Sequence, residues 1–511
     1  MAALSTGIAS ISTGCLGVSS SNSFDLVIYS GTPAGILAAI AAARRGARVA
    51  IIEPTRHLGG ILTSGLGVTD AITISDIGGL ARQFYLDLGT YYGKPAGTLQ
   101  LEFEPHAAEA IFKNYVNSSN ITVYFNRNVS AARTVNTLIK NIELDDGSII
   151  TATLWIDASY EGDLMAVAGA SYTVGRESSG EYGENKAGWG ASQQQIDISP
   201  YLGNGALIPG VNTAPAESMG QADSKIMAYT FRCCLTTTES NKMPFIQPAG
   251  YNPDRYQGLS DYLKAANSPT SNQIVVMQPT VNDKYCLLAN DLIPFSTDYV
   301  GGAWSYPNSS PTQRHAILQD HYNYVAGFLY FVSSDPSVPS EIRNTVQQFG
   351  LPLDEFTDNQ HWPWQMYVRE ARRLLGETVL TQADVSTHST QPDSIGLGNW
   401  GIDSHLCDAF AASSSIKLDG YFFTVKYSYQ IPYRCLLPKA SQVSNLAVTC
   451  CPSSTHIGFS SLRVEPVFMT LGHAAGIAAS LALDTGTGFG EVGISQLQAA
   501  LLQDGAIFSI K

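Results

Sequence analysis

None of the eight cysteines in this 511-residue chain forms a C-x-x-C pair, which excludes the usual zinc ribbon and thiol–disulfide redox centre. Basic residues are scarce and scattered. With 29 Lys and Arg against 43 Asp and Glu the net charge is −14, and without a dense basic run a nucleic-acid surface is excluded. No apolar run reaches the roughly 18 residues that a membrane span needs. Internal repeats are absent, and low complexity is confined to Met1–Ser23. That segment holds no Lys or Arg, so it reads as a tail or as the later part of a secretory signal. The sequons at Asn117, Asn120, Asn128 and Asn308 are no more than composition yields by chance, so secreted and cytoplasmic locations both stay open. The expected partner is a small organic molecule, with neither nucleic acid nor membrane, and no metal site is expected.

What is present is ordinary for a folded protein: 44% apolar residues, enough for large cores in two or more intertwined units. The adjacent pairs Cys233-Cys234 and Cys450-Cys451 read as small buried hydrophobes, with a strained vicinal disulfide as the alternative. Phe24–Tyr29 is a short apolar strand, Ala34–Arg45 an Ala-rich helix stopped by Gly46, and Arg48–Ile52 a second strand closed by Glu53 and Pro54. Together they form a βαβ unit. From Ile121 to Ala158, short Val/Ile/Thr/Tyr runs broken by Asn and Asp-Asp-Gly predict a β-meander that returns at W-I-D-A. Strands are expected around Tyr429–Tyr433 and Leu446–Cys450, then a long helix over Pro466–Leu483.

The turn of the βαβ unit is Y-S-G-T-P-A-G. A G-x-G-x-x-G fingerprint aligned on it has Ser30 and Thr32 where the first two glycines belong, with Gly31 between them and Gly35 in the third place. A phosphate cradle needs outward N–H groups, small side chains and close helix–strand packing. Ser30, Gly31, Thr32, Pro33, Ala34 and Gly35 meet those needs, and the Thr32 hydroxyl adds a donor. Glu53 ends the next strand, where a carboxylate can accept from ribose hydroxyls. A generic strand–turn–helix is the competing reading of the turn alone.

Glu53 is followed by P-T-R-H-L-G-G-I-L-T-S-G-L-G-V, and here the chain resembles the FAD-dependent oxidoreductases whose signature runs Tyr-Gly-Gly-Thr-Pro-Ala-Gly, Glu-Pro, His-Leu-Gly-Gly. Ser30 is the one departure. The resemblance recurs at W-I-D-A-S-Y-E-G-D-L, Y-V-R-E-A-R-R-L-L-G, D-S-I-G-L-G-N-W-G-I-D-S-H and I-P-Y-R-C-L-L-P. It is densest in S-S-T-H-I-G-F-S-S-L-R-V-E-P-V-F-M-T-L-G-H-A-A-G. It implies an α/β fold: a glutathione-reductase-like Rossmann FAD domain with an inserted α+β substrate domain. The expected division is 1–23 tail, 24–170 first part of the FAD domain, 171–400 mainly substrate domain, and 401–511 second part of the FAD domain. Beyond the turn, it places Pro54, His57, Gly59, Gly60, Gly65, Asp157, Ala158, Gly472 and Gly476 at the cofactor. The glycines let a loop lie flat on a planar ring. The positive end of the last helix would face the flavin pyrimidine.

Candidate catalytic groups are His456, His405 and Arg369. An imidazole can take a proton as substrate is oxidised, and an arginine can clamp a carboxylate or balance flavin charge. Their structural alternatives are a hydrogen-bonded core histidine and a salt-bridged helix face carrying Arg369 and Arg373. Arg463 and Glu465 read as an internal ion pair, and His57 as a backbone-fixing group, with a covalent flavin link as the rarer option. Without a second nucleotide fingerprint or a C-x-x-C pair, hydride passes directly between substrate and FAD. The expected reaction is oxidation at a C–H next to O, N or a forming C=C, with oxygen or another acceptor regenerating the flavin. The rivals are an NAD(P)H-dependent flavin monooxygenase and a flavin-binding protein without turnover.

Overall fold

The computed structural model describes residues 22–510 apart from 71, 72, 217, 267, 268, 291 and 426. Most of the N-terminal tail, residues 1–21, and the reading of it as a signal remnant lie outside the described residues. The central sheet is built from β1 (Ser23–Tyr29), β2 (Val49–Glu53), β3 (Thr122–Phe125), β4 (Val129–Val135), β5 (Leu138–Leu144) and β6 (Ile149–Asp157). Its parallel half runs β3-β2-β1-β6. β1 lies inside it with helices over it, so Leu26, Val27 and Ile28 are fully buried and the strand reads as a continuous apolar run. The strand Leu446–Val448 adds in parallel beside the end of β6, with Leu446 opposite Trp155. The start of β6 pairs antiparallel with β5, and β5 with β4. This is the meander expected from the sequence, and Gly147 supplies the positive φ of 80° in the turn before β6.

Helix α1 (Pro33–Ala43) follows the β1 turn at once: proline opens it, and the Thr32 hydroxyl accepts from the Gly35 N–H at 3.2 Å. The expected C-terminal helix is present as Glu465–Thr485. By length and composition alone it could cross a bilayer, yet it lies in the core with most of its residues buried. A Cβ on Gly472 would collide with the Ala34 carbonyl, and one on Gly476 with that of Ala38. These two glycines therefore seat the helix against α1, so that two segments more than 400 residues apart share one layer under the sheet.

The remainder holds two three-stranded antiparallel sheets and the long helix Pro311–Ser334, opened by a Ser310/Gln313 capping box. One sheet joins Cys234–Thr236, Val276–Pro279 and Lys284–Leu288. The other joins Gln193–Ile196 to Asp408–Ala411 and Ile416–Asp419, so the chain returns to the parallel sheet only at Leu446. One apolar core extends through both halves, from Leu26 to Phe508.

The helix expected over Arg369–Arg373 is not formed. The segment is extended: the Tyr367 N–H donates to the Thr230 carbonyl at 2.7 Å, and Arg373–Leu374 pairs with Tyr172–Thr173. Helix propensity lost to tertiary context, because the stretch threads between buried strands and finds its backbone partners there. The seven described cysteines are all buried and unbridged, including both adjacent pairs.

Candidate active site at the dinucleotide cleft

A cleft of about 640 Å³ opens at the end of β1 and runs toward the long helix. Ser30, Glu53, Pro54, His57 and Gly60 line it, together with Tyr160, Glu161 and Trp364. The other expected turn residues stand behind this wall. Gly31 donates its N–H to Glu53 Oε2 at 2.6 Å, and a Cβ there would lie 2.5 Å from Leu58. Gly35 is in contact with the Ser30 carbonyl and Ala158. The Thr32 hydroxyl spends its proton on the Ala158 carbonyl at 2.8 Å while capping α1. Contrary to the sequence expectation, the Thr32 hydroxyl is therefore not available to a phosphate. Ser30 has φ 76°, the left-handed region that glycine occupies without strain, so it stands where the fingerprint glycine is conformationally required.

Glu53 lines the cleft and also holds the turn, accepting from Gly31 and from Thr55 N–H and hydroxyl, each at 2.7 Å. Burial raises its pKa against those hydrogen bonds. Asp157 faces away from the cleft. It accepts from Ser159 at 2.9 and 2.6 Å and from the Met165 N–H at 2.8 Å, and burial pushes its pKa up to about 6. It thus fixes the turn that carries Tyr160 and Glu161. His57 is stacked on Trp364 at 3.6 Å, with Nδ1 3.0 Å from Glu109 and Nε2 3.2 Å from Asp358. It is a wall side chain hydrogen-bonded to Glu109 through Nδ1, with Nε2 close to Asp358 but not hydrogen-bonded.

Tyr160 links the cleft wall to the start of the helix Glu465–Thr485. Tyr160 donates to Glu465 Oε1 at 2.6 Å, and the Ile61 N–H donates to Tyr160 Oη at 3.3 Å. Glu465 Oε2 is buried without a partner. Burial, with the Asp70 charge, pushes the Glu465 pKa up to about 8, so this carboxyl is mostly protonated at neutral pH. Glu465 does not pair with Arg463, contrary to the sequence expectation; Arg463 turns instead to Asp403 and Tyr367.

The candidate catalytic residues separate into two places. His456 opens a short helix deep in an ion network: its Nδ1 lies 2.8 Å from Glu370 and its Nε2 3.3 Å from Ser404. Arg373 bridges Glu370 and Glu177 in the same network. With both nitrogens engaged, His456 sits as a stitch between three segments. His405 and Arg369 come together: Asp298 pairs with His405 Nδ1 at 2.8 Å and with Arg369 Nη2 at 2.9 Å. Burial would raise the Asp298 pKa, but the neighbouring Arg369 guanidinium and the His405 ring outweigh it and hold the carboxyl down at about 2. Arg232, Arg463, Tyr367 and Asp403 complete this cluster. Sequence reasoning missed Arg232 and Tyr367, although Tyr367 begins the Y-V-R-E motif.

A second cavity of about 610 Å³, lined by Phe231, Phe245, Tyr322 and Trp362 among others, shares Leu318 and Trp364 with the cleft. Across the cleft mouth, Asp163 binds Arg314 at 2.6 Å and Arg372 at 2.7 Å, tying the long helix to the turn after β6.

A parallel sheet with a nucleotide turn at the end of its first strand, a carboxylate at the end of the second and a late helix packed against α1 is the architecture of a Rossmann-type FAD-binding protein. The sequence matches the family described as FAD dependent oxidoreductase over residues 25–501, and the chain belongs to that family: it is an enzyme, with FAD as cofactor. No curated protein matches the sequence significantly. Solved structures similar to it include Thermovibrio ammonificans THI4, at 18% identity, TM-score 0.24 and coverage of 30% of this chain and 67% of that one. AlpK aligns at 12% identity with TM-score 0.27, covering 52% and 43%. A flavin monooxygenase mutant from Stenotrophomonas maltophilia aligns at 16% with TM-score 0.20, covering 26% and 37%. This chain thus spans well under two thirds of the latter two.

Proposed function

We propose that the protein removes a hydride from a small organic substrate at a C–H next to O, N or a forming C=C, and that oxygen or another acceptor restores the flavin. The observation that carries this reading is the Asp298–His405–Arg369 cluster, whose Arg369 directly follows Val368, a residue of the cleft wall. The residues present fit FAD. Ser30, Glu53, Pro54 and Gly60 would border it, and Gly60, with positive φ, leaves room where a Cβ would strike Tyr160. Bound FAD would supply a two-electron acceptor for hydride.

The chain's own contribution is positioning and proton handling. Asp298 accepts from His405 Nδ1, which fixes the imidazole tautomer and directs Nε2 as the basic atom. Arg369, held by Asp298 and the Ala228 carbonyl, presents fixed positive charge beside that base. The protonated Glu465 and Tyr160 form a neutral hydrogen-bonded pair at the helix start, keeping negative charge away from the cleft end. The neighbouring aromatic cavity is suited to the apolar body of an organic molecule.

Anaerobic mixing tests the reading. The purified protein is expected to carry flavin that an organic reductant bleaches and NADPH alone does not. Bleaching by NADPH alone would overturn it in favour of a monooxygenase.

A further inference from the structure

The cluster around Tyr367 holds more buried N–H donors than its partners accept from. Arg369 and Arg232 place their guanidinium carbons 4.8 and 5.3 Å from the Tyr367 ring centre, and Arg463 Nη1 donates to the Tyr367 hydroxyl at 3.1 Å. All three arginines are more than nine-tenths buried, at 2%, 8% and 5% exposure for Arg369, Arg232 and Arg463. Each keeps a buried Nε–H without an acceptor. The Arg369 Nη2 group is also unsatisfied as a hydrogen-bond donor, although it lies close to Asp298. Of the carboxylates in reach, Asp298 and Asp403 are held ionised by the arginines despite burial, whereas burial moves Asp70 toward its neutral form. The three arginines face Asp298, Asp403 and Asp70, and what the cluster leaves open is the set of orphaned N–H groups. A structural cluster of this kind is closed by a carboxylate that takes the orphaned N–H groups. Here none of the described residues does so.

The cluster adjoins the expected ring site. A Cβ on Gly65, in the glycine loop, would collide with the backbone carbonyl of Arg232. Asp70, which feels Arg232 and Arg463, also acts on Glu465 at the helix start.

We propose that Arg232, Arg369 and Arg463 form a buried anion site that receives a carboxylate group of the substrate. This deepens the oxidoreductase reading above and rests on it. The planar fork of a guanidinium matches the two oxygens of a carboxylate, and the orphaned donors give that group what an amide or alcohol cannot. Arg369 would then set the distance between the bound carboxylate and His405, making the substrate an organic acid.

Titration of the purified protein with benzoate, and with benzamide as the neutral isostere, tests the site at constant ionic strength. Both the visible flavin spectrum and the melting temperature are followed, the latter with and without added FAD. Benzoate is expected to give a saturable change and benzamide none. Arg463→Lys and Arg369→Lys, which keep the charge but lose the fork, should weaken benzoate about tenfold or more while retaining FAD. Equal responses to the two probes, or unchanged benzoate affinity in both folded variants, would overturn the proposal. A protein that fails to take FAD would refute the flavoenzyme reading, while its FAD-free melting curve still decides the carboxylate site.

Discussion

Ser30 pays for its place in the nucleotide turn with a left-handed backbone, a conformation that costs a non-glycine residue about 1 kcal/mol or more. Its hydroxyl returns only a 3.4 Å contact with Glu53. Ser30→Gly should therefore stabilise the protein by about 1 kcal/mol and leave FAD content intact, read by denaturant melts and visible absorbance. Gly35→Val should yield flavin-free protein, because the added side chain enters the Ser30 carbonyl and Ala158. Glu465 predicts a pH dependence. Its folded pKa of about 8 lies above the ordinary 4.5, so between these values the folded state keeps a proton that the unfolded state has lost. That contribution is fully present below about 4.5 and is lost as pH rises to about 8. Glu465→Gln should flatten the decline in melting temperature across this window; an unchanged slope would place the titration elsewhere. Most of the turn was legible from residue types and spacing. Ser30's φ was not, because serine is rare in that conformation, and neither was Thr32's commitment to Ala158, which depends on a strand more than 100 residues away.

Among the elements, the pairing of α1 with the helix Glu465–Thr485 is the contact on which the cofactor half depends. Both helices are rich in alanine and approach with backbone in contact at Gly472 and Gly476. Gly476→Ala should cost about 1–3 kcal/mol through overpacking, measured by urea unfolding, while an exposed change such as Gln83→Ala should cost little. The sequence showed the helix, its length and the four-residue glycine spacing, but that spacing suggests a partner without naming it. The cofactor role expected for Gly472 and Gly476 becomes a packing role one layer behind the cleft. At Arg369–Arg373 the local pattern misled: a run of good helix formers is drawn into extended backbone by partners at Thr230, Tyr172 and Cys451. That same extension delivers Arg369 to Asp298 and Arg373 to Glu177 on opposite sides. A helix would have put both on one face.

For the whole molecule, segments from both ends of the chain build one sheet and the apolar clusters on both of its faces. FAD bound in the cleft should therefore stabilise the protein as a unit. At about 100 times its Kd the gain is about 2.7 kcal/mol, seen in calorimetry as a single upward-shifted transition. An upward shift confined to one of two resolved transitions would show that the halves unfold independently. The βαβ start, the meander and the late helix were readable because each has a strong local period. The location of the arginine cluster was not, since Arg232, Arg369 and Arg463 meet only after three distant extended or loop segments have assembled. The late strand Leu446–Val448 has a further consequence for synthesis. Until it leaves the ribosome, the end of β6 presents an open edge and α1 lacks its helical partner, although both have long been made. Nascent chains stopped before residue 446 should remain protease-sensitive throughout the nucleotide-binding half, so the cleft is completed only once the strand Leu446–Val448 and the helix Glu465–Thr485 have been made.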